Sequence, residues 1–346
     1  MSVSTVSKDQ FKQFVEALIR SDQRVVGVQQ RNDRFVFDDL ATADALRLDY
    51  DVTILSPRKY ILPQKEPLLQ FAAGESYTPV HEGAPMVLLG VHPYDMASIN
   101  QMDQLFSQDE YDSHYMNRRQ HITVIACDVV TPSENVFAAS MGTATVEKGY
   151  DMLVTDIGDA YVVQAATDKG KALTNLMPQA RPASEADLDK RRAVQEQNQQ
   201  KLNQHVLECK PSYLPKLLEK NYEHPVWEEK ARLCYSCGSC NQVCPTCYCF
   251  DVQDEVNWDL KSGTRYRAWD GCLLEDFATV AGDHNFRKNR SDRFRHRLYR
   301  KGKYVPGKID GQIACVGCGR CITACTSNIA NPVDVYNQLM KRTDIG

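Results

Sequence analysis

At 346 residues the chain is long enough for two domains, each with a core of its own. Its 41 basic and 45 acidic residues leave a net charge of −4, which excludes a general affinity for nucleic acid or an anionic membrane surface. No apolar run approaches the roughly 18 to 20 residues that span a bilayer, so direct membrane insertion is excluded too.

The chain opens on Ser7-Lys8-Asp9-Gln10, a capping box, followed by a helix whose apolar face is Phe11, Phe14, Val15, Leu18 and Ile19. A capping box, not a basic segment leading into an apolar one, makes cytoplasmic location the expectation. Val25 to Val28 and Arg34 to Phe37 read as a hairpin turning at Asn32-Asp33. Met86 to Val91 is a continuous apolar run that predicts a buried strand, broken by His92-Pro93, with a helix starting near Asp95. His92 and Asp95 stand where α/β folds often place ligand loops, but Asp95 fits better as the N-cap of that helix. Ile122 to Cys127 predicts another buried strand, and Met152 to Val163 a hairpin turning at residues 156–159. Residues 1–180 therefore read as an α/β domain. Residues 181–220 read as a helical linker, exposed and rich in Gln, Glu, Arg and Lys, capped by Ser184 and Asp187. Residues 221–346 read as an α+β, ferredoxin-like domain, short of regular periodicity, in which metal ligation fixes the fold.

All but one of the 13 cysteines fall between Cys209 and Cys325, and in a cytosolic chain such crowding points to metal rather than disulfides. Cys234-Tyr-Ser-Cys237-Gly-Ser-Cys240-Asn-Gln-Val-Cys244-Pro has the CxxCxxCxxxCP spacing of bacterial ferredoxins, and Cys315, Cys318, Cys321 and Cys325 repeat it. Three thiolates at such intervals wrap one face of a cubane, while the fourth lies too far along and crosses to the other cluster. The expected sets are Cys234, Cys237, Cys240 and Cys325 for one [4Fe–4S] cluster, and Cys315, Cys318, Cys321 and Cys244 for a second. Zinc is the competing reading, yet zinc knuckles usually take two cysteines each, and two full four-cysteine runs with Gly238, Gly317 and Gly319 between ligands fit cubanes better. Thr326 replaces the usual proline after Cys325; the proline is no ligand, so its loss predicts a looser loop and not a missing cluster.

The intervening segments are more specific than the spacing. Cys244-Pro-Thr-Cys-Tyr-Cys-Phe-Asp-Val252, Trp269-Asp-Gly-Cys272, residues 281–287 and residues 293–300, together with Gly90-Val-His-Pro-Tyr-Asp95 and Ser140-Met-Gly-Thr143, resemble the β subunits of cytoplasmic sulfhydrogenases and the corresponding iron–sulfur subunits of anaerobic sulfite reductases. The resemblance implies an electron-transfer subunit placed between a flavoprotein that oxidises NAD(P)H and a catalytic hydrogenase or reductase subunit, with flow in either direction. The chain agrees in lacking a P-loop, a GxSxG elbow and a dinucleotide GxGxxG, so nicotinamide and flavin would sit on a partner. The rival is an enzyme whose own iron–sulfur site reduces a sulfur compound, thiol or disulfide.

Two features remain. Cys247, Cys249 and Cys272 are left over from the ferredoxin sets, and a CxC pair plus a distal thiolate is a three-point grip for a third [4Fe–4S] cluster, with Cys127, Cys209 or His284 as the fourth ligand. Buried free cysteines are the plainer alternative. Residues 287–303 carry nine basic residues and a single acid, Asp292; Arg293, Arg297 and Arg300 share a helical face. That face reads foremost as solvated, packed below by Phe294 and Leu298, and otherwise as a dock for an acidic partner or a tuner of nearby clusters. Tyr213, Trp227, Trp258 and Trp269 read as core or shielding aromatics.

Overall fold

The computed structural model describes residues 2–74 and 77–342. Its strands are β1 (Ser2–Ser7), β2 (Arg24–Arg31), β3 (Arg34–Asp39), β4 (Lys65–Ala72), β5 (Thr78–Pro79), β6 (Met86–Val91), β7 (Ile122–Cys127), β8 (Met152–Asp156), β9 (Ala160–Ala165), β10 (Arg181–Pro182), β11 (Phe250–Val256) and β12 (Ser262–Trp269).

The two continuous apolar runs become the centre of a sheet, because a strand buried on both faces needs apolar residues at every position. Every residue of β6 and β7 is buried, and the two pair in parallel. β2, β6, β7 and β8 form a parallel middle, extended by antiparallel strands into the order β10-β1-β9-β8-β7-β6-β2-β3. The hairpin of β2 and β3 turns at Asn32, which takes the left-handed conformation (φ 54°) that Asn tolerates in tight turns. Helix Lys8–Ile19 carries the full capping box, Ser7 with Gln10, and buries Phe11, Phe14, Val15 and Leu18 against the sheet. The helices Pro93–Ser107 and Ser113–Gln120 make the crossover from β6 to β7.

The segment read as an exposed linker belongs to this layer. Arg181–Pro182 is the edge strand beside β1, and helix Glu185–Lys201, capped by Ser184 and Asp187, is largely exposed as expected but packs on β8 and β9, burying Asp187 and Asn198. Asp187 accepts hydrogen bonds from Thr5 Oγ1 (3.0 Å) and Arg181 (2.7 Å), and Gln195 donates to Asp128 (3.2 Å).

Nor do the sheets respect the separation at residue 180. β4 pairs along its length with β12, in a second sheet ordered β11-β12-β4-β5. The β11–β12 hairpin, which lies between the two cysteine motifs, had no sequence signal strong enough to read: β11 is exposed at all but its first position and shows no apolar alternation. Trp258 stands fully exposed at its tip, so it shields nothing, whereas Trp227 is core and Trp269 is half-buried with its indole N–H donated to Leu62 O (3.0 Å). Glu66 of β4, fully buried, is held by Arg118 (2.5 Å) and by Arg267 of β12 (2.6 Å). The remaining C-terminal core gathers Leu218, Trp227, Phe294, Tyr299 and Tyr336 around helices Arg290–Tyr299 and Pro332–Arg342.

Candidate metal centres

Each cysteine motif folds the same way because each has glycine where the backbone must turn left-handed. Gly238 (φ 73°) and Gly319 (φ 77°) precede the one-turn helices Ser239–Gln242 and Arg320–Thr323, which carry Cys240 and Cys321. Two residues earlier the copies differ: Ser236 (φ 54°) in the first, Gly317 (φ 64°) in the second. The structure explains the difference. A Cβ on Gly317 would lie 2.5 Å from Phe137 O, because the loop around Phe137 clamps the second motif: Phe137 N donates to Gly317 O (2.8 Å) and Thr143 Oγ1 to Val316 O (2.7 Å). Gly317→Ala is therefore expected to lower the thermal unfolding temperature sharply, adding a backbone clash to about 1–2 kcal/mol of left-handed strain, whereas Ser236→Ala adds no clash and costs less, losing the hydroxyl that accepts from Arg293. Differential scanning calorimetry of the two variants checks this.

The thiols stand around two hollows. One is lined by Cys234, Cys237, Cys240 and Cys325; the other by Cys244, Cys315, Cys318 and Cys321. These are the two sets expected from the spacing, crossing included. Thr326 lines the first hollow and Pro245 the second, so the replaced proline leaves the wall closed. Among the described residues no three His, Cys, Asp or Glu side chains converge tightly enough to grip a single ion. An open cleft near Asn100, Lys148 and Asp310 has no cysteine in its lining.

The charges around the hollows support an anionic occupant. Arg293, Arg297 and Lys301 are only 3%, 2% and 7% exposed, and none of them forms an ion pair with a carboxylate among the described residues. Buried Arg118, Arg267 and Arg320, by contrast, all have carboxylate partners. A buried cation needs a counter-charge. Here the basic ridge runs along the motifs: Arg290 donates to Cys234 O (3.3 Å), Arg293 to Ser236 Oγ (3.2 Å), Arg297 to Cys240 O (3.4 Å) and Lys301 to Thr246 O (2.8 Å). The solvated-face reading of Arg293, Arg297 and Arg300 is thereby corrected: Arg297 lines the second hollow, Arg293 is buried against Ser236 Oγ and the carbonyls of Arg287 and Lys288, and Arg300 lies half-buried over the Tyr248 ring. Burial pushes the Cys240 and Cys315 thiols up to about 12, so loading a metal there expels protons that the empty site would keep. Two anionic iron–sulfur cubanes fit both the thiol sets and the unpaired cations.

Asp95 is not an N-cap. The helix begins at Pro93 after His92, and the fully buried Asp95 carboxylate holds Arg320 through two bonds of 2.6 and 2.7 Å. Arg320 lies between Cys318 and Cys321, so this pair ties the second motif to the first turn of helix Pro93–Ser107. Its guanidinium also donates to Thr53 O (2.8 Å). His92 is stacked on Tyr50 at 3.8 Å, and burial followed by the charge of Arg320 holds its pKa well below the ordinary value; it is a neutral core residue.

The two hollows differ in access. Cys237 is exposed, with Leu233 and Tyr235 exposed beside it, while Cys318 and Cys321 are buried behind the Phe137 loop and Tyr336. Of the remaining cysteines, Cys127 is in the core of the N-terminal sheet and Cys209 packs on the C-terminal core.

Comparison with known proteins bears on this geometry. A family model described as a 4Fe-4S dicluster domain matches residues 233–329, a span that holds both hollows' cysteines. Sulfhydrogenase 2 subunit beta of Pyrococcus furiosus is 31% identical over 308 residues, covering 88% of this chain and 89% of that relative. No solved structure matches the chain. No helix among the described residues is long and apolar enough to cross a membrane. With likeness along nearly the whole length and a dicluster domain at its C-terminal end, the chain belongs to the sulfhydrogenase β-subunit family of iron–sulfur electron-transfer subunits.

Proposed function

We propose that the chain relays electrons between two partner subunits, a flavoprotein that exchanges electrons with NAD(P)H and a catalytic hydrogenase or reductase. Cys234, Cys237, Cys240 and Cys325 hold one [4Fe–4S] cluster, and Cys315, Cys318, Cys321 and Cys244 the other. When bound, each cluster supplies a one-electron carrier. The protein's part is to fix the thiolates, exclude water from the inner site and surround both sites with positive charge, which favours the reduced, more negative state and raises the potential. The observation that carries the reading is the pair of hollows, each lined by four thiols drawn from both motifs.

The exposed edge at Cys237, Leu233 and Tyr235 supports contact with a partner there, since a surface cluster exchanges electrons with a docked protein and loses them to oxygen when bare. Protein purified anaerobically is expected to hold about eight iron and eight acid-labile sulfide atoms from these sites, and to co-purify from its native source with a flavin-containing subunit. Zinc without sulfide, or recovery of this subunit alone from native extracts, would count against the relay.

A further inference from the structure

The thiols outside the two four-cysteine sets are partly gathered. Asn241 Nδ2 lies 3.6 Å from Cys247 Sγ and 3.4 Å from Cys272 Sγ, bridging a residue just past the first motif and one that follows β12. Cys249 joins them: its neighbouring charges include Cys272 and Asp270, and its carbonyl accepts from Asp270 N (3.0 Å). Cys247 and Cys272 are 7% and 3% exposed.

A second, independent observation lies across from them in the N-terminal part of the chain. Arg58 is 4% exposed, forms no ion pair among the described residues, and leaves its Nε without a hydrogen-bond partner. Its guanidinium stacks at 3.6 Å on Trp269 and donates to Gln242 O (3.1 Å). The groups that could offset its charge as thiolates are Cys247, Cys244 and Cys249, of which Cys244 belongs to the second ferredoxin-type set. Arg300 lies over the ring of Tyr248, between Cys247 and Cys249 in the chain, at 4.9 Å. The Oδ1 of Asn241 is likewise buried without a partner. Neutral thiols would leave Arg58 as a bare buried cation, whereas three thiolates without a metal would repel one another in the same small space.

We propose that Cys247, Cys249 and Cys272 hold a third [4Fe–4S] cluster, distinct from the two of the ferredoxin motifs and adjoining the second of them through Cys244. None of the fourth ligands expected from sequence is in place: Cys127 and Cys209 belong to other cores, and His284 is exposed in the short strand His284–Asn285. The fourth corner therefore falls to a ligand other than these three residues.

The test is an iron and sulfide count on the full chain reconstituted anaerobically, with the electrons taken up on full reduction. About twelve iron and three electrons per chain are expected, and Cys272→Ser should lower these to about eight and two while leaving the spectra of the two ferredoxin-type clusters unchanged. Should that variant fail to fold, the parent chain decides the matter by its own count of electrons. About eight iron in the parent overturns the third site and leaves the relay standing, as does a Cys247–Cys272 disulfide found by mass spectrometry in such protein. Absence of sulfide overturns both.

Discussion

A Cys318→Ser chain is expected to keep the cluster of the outer hollow, lose about four iron atoms, and unfold its C-terminal core well before its eight-stranded sheet. Cys318 is buried in the inner hollow, whose wall includes Arg297 and Lys301. Removing that cluster leaves two buried cations with no counter-charge, a loss of several kcal/mol by analogy with breaking a buried ion pair. The damage should spread along the helix Arg290–Tyr299 that carries the ridge. The sheet is insulated because its strands, β1 to β3 and β6 to β10, pair only among themselves. Hydrogen exchange is the measurement: protection should fall in helix Arg290–Tyr299 and in residues 315–321, and persist in β6 and β7. Equal loss in both regions would show that the sheet depends on the cluster.

Asp95→Asn should be nearly as damaging, at about 3–5 kcal/mol, since it strands Arg320 as an unpaired charge at a site where both partners are almost wholly buried. The effect should be electrostatic and not a matter of volume. A double variant, Asp95→Leu with Arg320→Met, should therefore recover much of the stability, because apolar pairs of similar size often replace a buried ion pair at little cost. Chemical denaturation of the single and double variants separates the two accounts, and a double variant as unstable as Asp95→Asn would mean that packing, not charge, is at stake.

Much of this molecule was legible in its residues. The buried strands, the first two hairpins and both capping boxes follow from local pattern, and the grouping of eight cysteines follows from a spacing that a rigid cubane imposes. What sequence missed has a common cause. Helical periodicity shows that Arg293, Arg297 and Arg300 share a face but not which way it points, and inward is unthinkable until the hollows supply a negative charge. Asp95 after a strand is as good a cap as a salt-bridge partner, and only the fold brings Arg320 to it from 225 positions away. The pairing of β4 with β12 is equally non-local, and β11 offers too little apolar alternation to announce it. Cys247, Cys249 and Cys272 were grouped from sequence, but Arg58, the cation that faces them, lay outside any motif.

The position of the β11–β12 hairpin, between the two motifs, orders events at the ribosome. β4 leaves the exit tunnel with its edge open, and Ser262, the partner of Ala72, follows 190 positions later, a wait of about 10–40 s at ordinary rates of synthesis. In that interval an unpaired edge is a liability for association between nascent chains. Arg118 arrives early to hold Glu66, and Arg267 completes the pairing only with the hairpin. By then the first motif is out and the second is not. Since each hollow draws thiols from both motifs, a chain that stalls before residue 315 completes neither wall, so premature termination yields a protein without its full thiol lining in either hollow.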